Sequence, residues 1–145
     1  MDKFFRKYVW DDERTPYLIS VARLTRSQID YELRFYSIFS GVLFGLVSIA
    51  ALSSSLPHGD ARGVSLYAFT QVCASLLLGA TRHLWVAFYS ASGPLAALLY
   101  FGLFGFHPSL GGADKTLLVL AAVLWVCYGA RLIAIARFYP EAPGR

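Results

Sequence analysis

Hydrophobic residues run along this chain in long blocks, separated by short stretches rich in Gly, Pro, Ser and charge. From Phe35 to Leu56 no ionisable side chain occurs except the phenol of Tyr36. About 18 such residues in helical form are enough to cross a bilayer. A second block, Thr116 to Arg137, is opened by "GGADK" and closed by "FYPEAPG". These two blocks predict a first and a last membrane span, at 34–56 and 116–137.

Residues 64–110 hold an even number of crossings if both chain ends face the same side. Charge places them so. Lys3, Arg6, Lys7, Arg14, Arg23, Arg26 and Arg34 precede the first span, and Arg131, Arg137 and Arg145 end the last. The two loops on the far side carry only Arg62 and Lys115. Basic residues concentrate on the cytoplasmic side of membrane proteins, so both termini are expected there.

The middle turn has two candidate positions. A turn at Ser90–Pro94 leaves a helix of about 39 Å beside one of about 25 Å, at 1.5 Å per residue, and the bilayer would have to absorb the mismatch. A turn at Thr81–His83 gives spans at 64–80 and 84–106, about 25 and 35 Å long. These bracket a hydrocarbon core of about 30 Å, and the length argument selects this turn. Gly79 then serves as the left-handed helix stop, Thr81 caps the next helix, and Trp85 sits at headgroup level. Gly93-Pro94 falls inside the third span. Proline there crowds the Ser90 carbonyl and removes its partner amide, so a kink is expected and the freed carbonyl needs another donor.

Ahead of the spans, Thr15-Pro16 is a helix start, and Tyr17, Leu18, Val21 and Leu24 fall near one face of it. A short amphipathic helix at the interface is expected. "TRSQ" (25–28) reads as a capping box, Thr25 with Gln28, opening a helix that continues into the first span. Asp30 and Glu32 are expected as solvated or headgroup-level charge. The expected fold is therefore an all-α membrane protein with four transmembrane helices, N-in/C-in, preceded by an amphipathic interfacial helix. Residues 1–33 form the cytoplasmic or interfacial segment, 34–138 the bundle and 139–145 a cytoplasmic tail.

Composition agrees with membrane residence. The 145 residues are 57% apolar and 15% charged, against about 45–50% and about 25% in globular chains. The N-terminus lacks the apolar core and cleavage site of a signal peptide, so the first span is expected to be retained. Arginine outnumbers lysine ten to three, a composition that suggests a bacterial source and hence the cytoplasmic (inner) membrane. Cys73 and Cys127 both fall in apolar runs and read as small buried hydrophobes.

Helices in lipid associate through small residues that let backbones approach. Ser37, Gly41, Gly45 and Ser48 form such a stripe in the first span. Gln71, Ser75 and Gly79 do so in the second, and Ala122, Val126, Ala130 and Ala134 in the fourth. These stripes serve internal packing, self-association or other membrane subunits. Polar groups at mid-membrane depth are costly and mark candidate sites. Gln71, Ser90, Ser92, the Pro94 kink and Tyr128 are the candidate polar patch, with interhelical hydrogen bonding the plainer role of Gln71. Arg131 is expected to snorkel to the cytoplasmic headgroups.

His58 and His107 lie near the outer face and are the candidates for haem or metal ligation. A quinone is the other conceivable cofactor, and none is required by a motif. No Ser/His/Asp set, acidic pair, CxxC or phosphate-binding glycine loop occurs. A non-catalytic protein is expected, with the bilayer and membrane subunits as partners and no nucleic acid. Assembly, as an accessory subunit or homo-oligomer, is the leading reading. The alternatives are a small transporter or channel with its path beside the third-span kink, and a haem- or quinone-binding electron-transfer subunit. A first span without a carboxylate counts against proton coupling.

Overall fold

The computed structural model describes residues 19–53 and 61–143. The described residues form four helices: α1, Arg26–Leu52; α2, Arg62–Thr81; α3, Leu84–Phe104; and α4, Gly112–Phe138. Single 3-10 turns at Val21–Arg23 and Tyr139–Glu141 flank them, and no strand occurs among the described residues. All four helices are long and apolar enough to cross a membrane. Their outer surface is apolar too, with Leu66, Leu103 and Leu124 all more than half exposed. Water would not tolerate that much exposed hydrocarbon, whereas lipid does. The chain is therefore a multi-pass helical membrane protein.

Helix α1 starts at the capping box. The Gln28 amide donates to Thr25 Oγ1 (3.4 Å) and the Thr25 amide donates to Gln28 Oε1 (3.0 Å). From there the helix runs unbroken into the apolar block, because no Pro or left-handed residue intervenes. The interfacial helix expected at Thr15–Leu24 begins outside the described residues. Its described end is only the 3-10 turn at Val21–Arg23, and Leu24 is buried in the core of the bundle.

The chain reverses between α2 and α3 at Arg82–His83, and α3 passes through Pro94. The length of the spans decides this, as each must match the lipid core. The local stereochemistry differs from expectation. Arg82, with φ of 53°, is the left-handed C-cap, not Gly79. Gly79 is kept inside α2 because a Cβ there would lie 3.1 Å from Ser37 Oγ. Arg82 adopts the costly conformation while holding three partners: the Asp30 carboxylate (2.8 Å), the Ala80 carbonyl (2.7 Å) and the face of Tyr139. Asp30, expected in solvent, is thus paired and only about one-third exposed. Thr81 does not cap α3; its hydroxyl bonds back to the Leu77 carbonyl, and His83 takes the N-cap position.

Successive helices are antiparallel. Pairs along α1 and α2 show it: Ser37 lies against Gly79, the Ser75 hydroxyl donates to Ser40 (3.0 Å), and Ser48 and Ser65 lie hydroxyl to hydroxyl at 3.0 Å. Between α3 and α4 the close approach is Gly129 against Ala91, where an added Cβ would stand 3.1 Å from the alanine methyl. Small side chains hold both hairpins together, as lipid-embedded packing requires. The third span contributes a small-residue face as well, burying Ala87, Ser90, Gly93 and Pro94.

The described chain ends meet at one end of the bundle. The Arg26 amide donates to the Pro143 carbonyl (3.2 Å), and its guanidinium donates to the carbonyls of Ala142 (3.0 Å) and Pro140 (3.2 Å). Cys73 and Cys127, expected to be buried, are free thiols on the outer face. In lipid the exterior is as apolar as the interior, so small apolar residues are not sorted inward.

The Ser37–Gly79 contact yields a stability prediction. Gly79→Ile should cost about 1–3 kcal/mol by overpacking, whereas Gly45→Ala, with nothing within 4 Å of the added methyl, should be neutral. Thermal unfolding in detergent micelles reads both. Equal melting of the two variants would show that α1 and α2 do not pack at this point.

Candidate functional site

Where α1 faces α4, the backbones stand apart and large rings bridge the gap. Tyr36 stacks on Tyr128 with centroids 5.9 Å apart, and Trp125 packs against both Phe39 and Phe44 at 5.7 Å. This separation leaves a cavity of about 1020 Å³ between the two hairpins, to which all four helices contribute. Its wall is overwhelmingly apolar and aromatic, with Phe44, Tyr67, Tyr100, Phe101 and Trp125 among its lining residues. Gly93 lines it as well, and any side chain at that position would run into the Phe44 ring. The volume lies at the upper end of the range for small-molecule sites, about 300–1,000 Å³.

About one helical turn beyond Tyr36 and Tyr128, whose rings line the cavity, lies an ion pair. Glu32 is fully buried, and Arg131 grips it with two bonds, Nε to Oε1 at 2.8 Å and Nη2 to Oε2 at 3.1 Å. The Tyr128 hydroxyl adds a third, to Oε1, at 2.9 Å. A carboxylate withdrawn from water needs such pairing, since burial of an unpaired charge is prohibitive. The remaining guanidinium nitrogen of Arg131 donates to the Ile19 carbonyl (2.7 Å), tying the segment before α1 to α4. Two expectations are corrected here. Glu32 is not solvated and Arg131 does not snorkel outward; each satisfies the other inside the bundle. Ile29, Leu33, Tyr36, Ser40 and Phe44 mark the buried face of α1, which only the packed bundle reveals. Glu32 lies on that stripe, one turn before Tyr36.

Beyond the ion pair, the proline break is satisfied by a neighbour. The Ser90 carbonyl, deprived of an amide at Pro94, accepts the Tyr36 hydroxyl at 3.2 Å. Tyr36 was not among the expected site residues. The only hint was its being the one ionisable group in an otherwise inert span.

The expected polar patch divides in two. Gln71, fully buried, ties α2 to α3: its Nε2 lies 3.1 Å from the Tyr89 carbonyl, 3.1 Å from Ser92 Oγ and 2.7 Å from the Tyr67 hydroxyl. Ser92 also donates to the Tyr89 carbonyl (2.6 Å). Tyr128 is not with this group but with Glu32, and Ser90 faces Tyr36. Gln71 Oε1, on the side of Gly93, is buried with no partner among the described residues at hydrogen-bond distance, and the Trp125 indole flanks the Tyr36 hydroxyl.

Of the expected packing residues, Ser37, Gly41, Ser48, Ser75 and Gly79 lie along the α1–α2 contact. Gly45 has open space beside it. Ala130 and Ala134 are exposed on the outer face of α4, whose inward small residues are Ala122, Gly129 and Ala136. Of the histidines, His58 lies outside the described residues. His107 is exposed in the α3–α4 loop with Nδ1 2.6 Å from Ser109 Oγ. Among the described residues no three His, Cys, Asp or Glu side chains are grouped to hold a metal. No protein-family model, characterised protein or solved structure matches the chain.

The ion pair carries its own prediction. Glu32→Leu or Arg131→Leu alone should destabilise by about 3–5 kcal/mol, because each leaves a buried charge unpaired, and the double replacement should recover most of that loss. Chemical denaturation in mixed micelles measures it. Additive losses in the double variant would mean that the two groups do not depend on each other.

Proposed function

We propose that this protein is a non-catalytic, multi-pass protein of the bacterial cytoplasmic membrane that holds an apolar molecule, taken from the lipid phase, in the cavity between its hairpins. The single observation behind this reading is that cavity, of about 1020 Å³ and walled by aromatic rings. The hollow is about half open to the surroundings, so an apolar molecule can enter it from the lipid. A space this large among rings that could otherwise collapse on one another argues for an occupant. In this reading the Glu32–Arg131 pair braces α1 against α4 one turn beyond the lining rings, and both chain ends face the cytoplasm. The orientation is supported by charge: Arg23, Arg26, Arg34, Arg82, Arg131 and Arg137 belong to the end where the described chain ends meet, and Arg62 and Lys115 to the other.

A second reading, assembly with another membrane subunit or a second copy, has its own support. Apart from Gly45, the residues that suggested it in α1 and α2 are engaged within the bundle, but Cys127, Ala130 and Ala134 present a small-residue ridge outward on α4. Partner helices approach such ridges closely.

Native mass spectrometry with decylbenzene tests the binding reading. The wild-type chain should retain one molecule, and Ala97→Phe, which fills the cavity, should weaken retention by roughly tenfold. Equal retention by both proteins would remove the cavity as the binding place. Orientation is read separately, by labelling His83→Cys and Ser109→Cys in a cysteine-free background with a membrane-impermeant maleimide. His83→Cys should react only from the cytoplasmic side.

A further inference from the structure

The amide of Gln71 is satisfied on one edge only. The side chain is fully buried, and its Nε2 serves the Tyr67 hydroxyl, the Tyr89 carbonyl and Ser92 Oγ. The Tyr89 carbonyl can only accept, so the N–H edge is fixed there and the oxygen is turned away from it. Oε1 has no donor among the described residues. A buried acceptor left unmet costs free energy comparable to a lost hydrogen bond.

Its position relates it to the cavity. Val64, Tyr67 and Ala68 of α2 line the hollow, and Gln71 continues that helical face one turn on from Tyr67. On α3, Gly93 belongs to the same wall; a Cβ there would stand 3.6 Å from Gln71 Oε1 and would run into the Phe44 ring. The bare glycine thus leaves a small space that the amide oxygen adjoins and the edge of Phe44 fills. Phe44 itself lines the cavity, so a turn of its ring opens a path from the hollow to Oε1.

The surroundings narrow what comes to that oxygen. It must donate, because an amide oxygen only accepts. It is neutral, since Glu32 is committed to Arg131 and Tyr128 and an unpaired cation against an apolar wall is prohibitive. A lone water needs about two to four polar partners. The nearby hydroxyls of Tyr67 and Ser92 are already paired with each other at 3.1 Å and with the other edge of the amide. A hydroxyl carried on an apolar body needs only the one acceptor, and the rest of the molecule meets hydrocarbon.

We infer that the cavity takes a neutral, lipid-soluble molecule with one hydroxyl donor, the chemistry of a long-chain phenol or alcohol, its O–H directed past Gly93 to Gln71 Oε1. The inference rests on the binding reading above and adds to it the polarity of the head and the place where it is held. It concerns binding alone.

Three probes that differ only at the head separate the two levels, titrated by calorimetry against the full chain in detergent micelles: para-decylphenol, para-decylanisole and decylbenzene. The phenol should bind about two- to tenfold more tightly than either of the others, the worth of one hydrogen bond. Gln71→Leu should bring that ratio to one. Because Gln71→Leu also cuts ties between α2 and α3, a second pair of variants leaves the amide in place. Phe44→Leu, which removes the ring atoms that a Cβ at Gly93 would meet, should keep the phenol's advantage. Phe44→Leu with Gly93→Ala puts a methyl group in front of Oε1 and should lose it; an advantage that persists there overturns the contact. If no probe binds, the cavity reading itself falls and this inference with it. If decylbenzene equals the phenol in the wild type, only the hydroxyl contact falls. If the anisole equals the phenol, the donor is overturned. Glutamine occurs only as Gln28 and Gln71, so isotope labelling of glutamine side-chain carbonyls lets infrared spectroscopy follow the amide itself. The phenol should move the Gln71 band to lower frequency, and the anisole should not. A band already at the bonded position before the phenol is added, and unmoved after it, means that water alone serves the oxygen and overturns the inference.

Discussion

Inside a bilayer a helix gains nothing from hiding its apolar side chains, because the lipid is as apolar as they are. What brings α1 and α4 together across a gap is therefore not hydrocarbon but the Glu32–Arg131 ion pair, with Tyr128 as third partner. Each charge alone would be prohibitive at that position. Together, with both carboxylate oxygens occupied, they fix the register of the first helix against the last. The same guanidinium holds the Ile19 carbonyl, and Arg26 holds the last turn of the chain, so the end where the described termini meet is cross-braced.

The bundle is asymmetric as a consequence. Within each hairpin, contact residues are Ser, Gly and Ala, and the backbones approach closely. Between α1 and α4 they are Tyr, Phe and Trp, which hold the backbones apart. Small residues close one kind of interface and rings prop open the other. The cavity is the geometric remainder of that difference, lined on the α3 side by Gly93, next to the Pro94 break. Tyr36 serves both features, stacking on Tyr128 with its ring and satisfying the Ser90 carbonyl with its hydroxyl.

Some of this site could be read along the chain. The demand of Pro94 for a new donor to the Ser90 carbonyl followed from the absence of a proline amide. The capping box at Thr25–Gln28 followed from the residue types and their spacing. Gln71 was noticeable as an amide in an apolar helix. Other parts could not be read locally. Gly79 resembled a helix stop, yet its lack of a side chain serves the contact with Ser37, about forty positions away, and Arg82 bears the left-handed conformation instead. Glu32 and Arg131 each resembled a headgroup charge, because either one alone near a span end would be drawn to water.

The sequence by itself determined how many helices there are, how long they must be and where the chain can turn. Those follow from hydrocarbon thickness, backbone hydrogen bonding and the distribution of charge, all of which act on neighbouring residues. Only the tertiary structure decided which small residues pack inward, which carboxylate is buried and where a cavity remains. Those outcomes depend on pairs far apart in the chain, such as Glu32 with Arg131 and Tyr36 with Ser90. In a membrane, hydrophobicity does not distinguish inside from outside, so no pattern along the chain can announce such pairs before the helices meet.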